Sequence, residues 1–73
     1  MEHNIITKEL KIDLGQALWQ ARRDKKMHIS NVAEAIGANE KQIDLVEMGR
    51  KFDYSLTRKL AKYYGKSVKI ILE

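Results

Sequence analysis

Side chains able to do covalent chemistry are few in this chain, and their spacing argues against catalysis. There is no cysteine, which removes a thiolate nucleophile, a disulfide and thiolate metal ligands. His3 and His28 are the only histidines and stand too far apart to suggest a local metal motif. No glycine-rich phosphate loop and no acid–base pair in a cleft-forming context is visible, so the chain reads as a non-enzyme without metal or cofactor. What remains is noncovalent chemistry. A net charge of +4 points to an anionic partner. The charge is unevenly placed: from His28 to Gly49 one base, Lys41, stands against Glu34, Glu40, Asp44 and Glu47.

The elements that must position these residues have to fit one small domain, 1–73, with a single core. At 44% hydrophobic and 33% charged, the chain reads as globular rather than disordered. No apolar run approaches the roughly 20 residues that span a bilayer, so no membrane partner is expected. The N-terminal MEHNIITKELKID is mixed and partly acidic, unlike a secretory signal, and with the missing cysteines it fits a cytoplasmic protein.

Residues 1–12 read as an N-terminal extension or strand. Near-alternation over 5–12 favours a strand, with a helix beginning at Thr7 as the alternative. The helical core is expected over 13–65. Asp13 is placed to cap a first helix running to about Lys26, with Leu14, Ala17, Leu18 and Ala21 as its apolar stripe. A second helix, capped by His28 or Ser30, turns Val32, Ala33 and Ile36 inward and stops at Gly37. Asn39 caps a third helix, with Gln42 completing a capping box; Ile43 and Val46 face the core and Gly49 ends it. After a loop over 50–54, in which Phe52 is expected to reach the core, a fourth helix begins near Ser55. It carries Leu56, Leu60, Tyr63 and Tyr64 on one face and ends at Gly65. Residues 66–73 alternate like a strand, blurred at Ile71. The fold class is therefore all-α, with four to five helices and short strands at the ends.

Helices two and three, joined at Gly37-Ala38-Asn39, have the layout of a helix-turn-helix unit crossing at roughly 90–120°. Ala33 must be small beneath the crossing helix, Gly37 must accept a positive φ, and Ile43 must insert between the two helices.

From Leu14 to about Leu72 the chain resembles the Xre-type DNA-binding domains of phage repressor and Cro proteins. The stretches that carry the resemblance are VAEAIGANEKQI, EMGR and KLAKYYG. It implies a buried salt bridge between Arg22 and Glu47, which would fix geometry more than add stability. It further implies a sequence-specific transcriptional regulator of double-stranded DNA, with helix three in the major groove. Asn39, Glu40, Lys41, Gln42, Asp44 and Leu45 would then face the DNA, together with Ile29 at the start of helix two. Lys41 suits guanine O6 or N7, Gln42 adenine, and Leu45 a thymine methyl. Arg50 and Lys51, with Met48 beside them, would lie at the phosphates.

Two positions depart from the family pattern. Ile29 stands where many members have a phosphate-binding glutamine, and Met48 replaces a polar contact of several relatives. The acidic third helix also leaves a second reading, a protein-interaction module of the same fold. The ending GKSVKIILE resembles helix-turn-helix antitoxins, which implies a toxin as protein partner. Pairing of 5–12 with 67–72, within one chain or across a two-fold homodimer, would cover both edges.

Overall fold

Thr7 starts the first helix. Its Oγ1 accepts the Leu10 amide N–H at 3.0 Å, and the computed structural model, which describes residues 7–66, runs from there as four α-helices. These are α1 (Lys8–Asp24), α2 (Ile29–Ile36), α3 (Glu40–Glu47) and α4 (Tyr54–Tyr63). No strand is present among the described residues.

This start overturns the expected N-terminal strand in favour of its alternative, a helix beginning at Thr7. Lys8–Ile12 are helical, and Asp13 lies exposed inside α1 instead of capping it. The physical reasons are the Thr7 cap and the apolar spacing: Leu10 and Leu14, half-buried, extend the Leu18–Ala21 stripe at i, i+4, i+8, i+11. Ala17, placed on that stripe by the sequence, is exposed. The expected C-terminal strand over 66–73 begins at Lys66, which is not in a strand; its other residues lie outside the described residues.

The core is built from Leu18 and Ala21 of α1, Val32 and Ala33 of α2, Ile43 and Val46 of α3, and Leu56, Leu60, Ala61 and Tyr64 of the α4 region. Met27, Ile29, Ile36 and Ala38 pack against it. Phe52 is only half-buried, its ring 6.3 Å from that of Tyr54. Among the described residues no helix is long and apolar enough to cross a membrane.

All four helices end the same way. In α2 the Ala38 N–H donates to the Ala33 carbonyl (2.8 Å) and the Gly37 N–H to Glu34, with Gly37 at φ +70°. This paired closure needs a left-handed residue, which glycine adopts without a Cβ penalty. Gly49 and Gly65 close α3 and α4 alike, but α1 does it with Lys26 at φ +54°. Gly15 has a different task inside α1. A Cβ built there would strike the Val46 and Glu47 carbonyl oxygens, so α1 and the end of α3 meet backbone to backbone.

Candidate functional site

Asn39 caps α3 as its type and position require: Oδ1 accepts the Lys41 N–H at 2.7 Å. Gln42 does not complete a capping box there. Its Oε1 accepts from Lys51 Nζ at 3.1 Å, which ties the loop after α3 back onto the helix.

The periodicity of α3 then sorts its residues. Ile43, Val46 and Glu47 are buried, Gln42 and Leu45 are half-buried at the rim, and Glu40, Lys41 and Asp44 are exposed. Met48, just past the helix, is 52% exposed. The outward face thus brings together a cation, two carboxylates and a thioether. Arg50 and Lys51 are exposed beyond it, and the Arg50 N–H bonds the Leu45 carbonyl at 3.0 Å.

Beneath that face lies a two-pronged ion pair. Arg22 Nε donates to Glu47 Oε2 at 2.8 Å and Arg22 Nη2 to Oε1 at 2.9 Å. The side chains are 16% and 3% exposed respectively. Arg22 Nη1 also donates to the Met27 carbonyl at 3.2 Å, so one guanidinium joins α1, the entry to α2 and the end of α3. Its hydrogen bonding to Glu47 holds the Arg22 pKa above its ordinary value against the opposing effect of burial; the charges of Glu47, Tyr64 and Asp44 act in the same upward sense. Burial likewise pushes the Tyr64 phenol up to about 12, with the Glu47 charge adding to it and Arg22 opposing.

Ala33 and Ile43 are buried where α2 and α3 meet, and Gly37 forms the turn between them. Ile29 does not project with the α3 face; it packs on the core, which accounts for an apolar residue at that position. His28 precedes α2 without a side-chain capping bond, and Ser30 lies inside the helix.

Sequence reasoning missed two parts of the site. Gly15 is the first, and its signal was a lone glycine inside a helical pattern, which usually has a packing reason. The second is a groove lined by Gln16, Trp19, Arg22, Asp44, Glu47 and Met48, beside the α3 face. Trp19 stands at its edge with the Arg23 guanidinium 4.7 Å from the ring centroid. Among the described residues no group of three or more His, Asp or Glu side chains is placed to hold a metal ion.

Compared with protein-family models, with curated proteins and with solved structures, the chain has no significant match. The functional reading therefore rests on the geometry above.

Proposed function

We propose that this chain is a phage-repressor-like helix-turn-helix domain that binds double-stranded DNA through α3 and regulates transcription. The observation that carries the reading is a short helix held along its inner face, with Glu40, Lys41 and Asp44 exposed on its outer face. Lys41 is exposed for guanine O6 or N7, while Glu40 and Asp44 suit the cytosine N4 amino group. The Gln42 amide N–H donors suit adenine N7, while its oxygen accepts from Lys51. Arg50 and Lys51, following α3, supply phosphate contacts. On a two-fold site, two such helices would sit about 34 Å apart, one duplex turn.

A specific observation favours a second reading, a protein-binding module. The groove between Trp19 and Met48 carries the exposed Asp44 carboxylate, with Glu47 at its floor already neutralised by Arg22, an apolar and acidic combination suited to a basic side chain of a partner.

Fluorescence titration of a random-sequence duplex at two salt concentrations decides between them. The DNA reading expects binding that weakens steeply with salt and that Lys41→Ala and Arg50→Ala each reduce. No binding even at low salt overturns it in favour of the protein partner. Light scattering of the free chain and of the complex counts the copies per site.

A further inference from the structure

The segment that contains α3 is a poor source of affinity for a polyanion: from His28 to Gly49, one base stands against four acids, of which Glu34, Glu40 and Asp44 are exposed and Glu47 is neutralised by Arg22. Phosphate contacts nevertheless supply much of the affinity of DNA-binding proteins. The cations must come from elsewhere in the fold. From Arg50 to Lys66 there are six bases and one acid, Asp53, whose Oδ1 is engaged by the Leu56 N–H at 3.1 Å.

Four of those six bases share one place. An open groove of about 820 Å³ on the outer side of α4 is lined by Tyr54, Ser55, Arg58, Lys59, Lys62 and Lys66, with no acidic residue among the described residues that border it. Arg58 and Lys62 stand one turn apart, about 6 Å along the helix axis. Lys66 reaches the same groove because the Gly65 turn, closed by the Lys66 N–H on the Ala61 carbonyl (2.8 Å), folds the chain back. Tyr54 walls one side, its ring centroid 5.7 Å from the Arg58 guanidinium.

A second, smaller groove contains Asn39 and Gln42 of the α3 region with Asp53, the carboxylate engaged at the α4 cap, and it shares Ser55 and Lys59 with the first. The basic groove is thus continuous with the start of α3.

We propose that this α4 groove binds the sugar-phosphate backbone of duplex DNA, supplying the sequence-independent affinity that the acidic α2–α3 segment lacks. The proposal rests on the DNA reading above. Charge and continuity select the occupant: clustered lysines act as point charges towards phosphate, and the shared wall lets one duplex meet both surfaces.

The test measures duplex affinity by fluorescence anisotropy between 50 and 200 mM salt, roughly the range over which phosphate contacts are exposed by their salt slope. For Arg58→Gln/Lys62→Gln/Lys66→Gln, the slope of log affinity against log salt is expected to shrink by about 2 to 3, near 0.9 for each lost contact. Arg58→Lys/Lys62→Arg/Lys66→Arg keeps the charges and should keep the slope. The proposal is overturned if the glutamine variant binds duplex with the wild-type slope, or if the charge-keeping variant loses it equally. It is also overturned if polyglutamate competes as well as duplex at equal charge, which would make the occupant an acidic protein. Wild-type chain that binds no duplex at low salt overturns this proposal and the DNA reading together. A slope that depends on α4, with no sequence preference and no effect of Lys41→Ala, supports the groove and overturns the role of α3.

Discussion

The Arg22–Glu47 pair shows what a side chain can be asked to do when little core is available. Glu47 is almost wholly buried, so removing its partner leaves an uncompensated carboxylate. Arg22→Ala is expected to cost about 3–5 kcal/mol, read from urea denaturation followed by circular dichroism. The double variant Arg22→Met/Glu47→Leu should recover most of that loss, because the pair sets geometry more than it adds net stability. Tyr64 provides a pH signature beside it. The folded state holds the phenolic proton to about pH 12, whereas the unfolded chain releases it near the ordinary value of about 10. The folded state therefore binds more protons in that window, and stability, full below about pH 10, falls as the pH rises towards 12. Tyr64→Phe should lack this fall, and its Oη has no hydrogen-bond partner among the described residues to lose. Equal alkaline destabilisation of both proteins would count against a buried, proton-holding Tyr64.

At the scale of elements, the two unusual backbone positions of α1 act in opposite directions. Lys26 takes the left-handed conformation that glycine takes at the ends of the other three helices. Lys26→Gly is expected to stabilise by roughly 0.5–1 kcal/mol, the strain relieved exceeding the added freedom of the unfolded chain. Gly15→Ala should destabilise by about 1–3 kcal/mol despite better helix propensity, because the obstacle is main-chain oxygen that cannot rotate away. Thermal melts of both variants check the two signs. These elements also show what the sequence made legible. The Gly37 turn, the Asn39 cap and the inward Ile43 and Val46 follow from local chemistry and a 3.6-residue period. The start of α1 did not, since Ile6, Lys8, Leu10 and Ile12 satisfy a two-residue period while Leu10 also extends the helical stripe, and only packing decides. The start of α4 moved by one residue, to Tyr54, because Asp53 rather than the loop sets its cap. The Lys51–Gln42 hydrogen bond and the α4 groove were not legible either, since one depends on how the loop after α3 folds back and the other on the Gly65 turn that brings Lys66 beside Arg58 and Lys62.

For the whole molecule, the division of charge matters more than its sum. A net +4 hides an acidic middle and a basic segment from Arg50 to Lys66, so the molecule should orient as it approaches a polyanion. A chain this small is marginally stable, and a ligand that binds only the folded state should move its melting point visibly. Duplex at about 100 times its Kd is expected to add about 2.7 kcal/mol. For a domain of this size that raises the midpoint by roughly 10–20 °C. A midpoint unmoved by duplex at low salt would weigh against the DNA reading. The grip on α3 has a consequence for whatever it meets. Its far end is held by Gly15 and by the Arg22 guanidinium, and its near end by the Gly37 turn and the Asn39 cap. Such a helix has little freedom to tilt, so misfit cannot be absorbed by the reader. Under the proposed DNA reading the work of conforming passes to the duplex, and sites that bend or twist cheaply would be preferred even at positions no side chain touches.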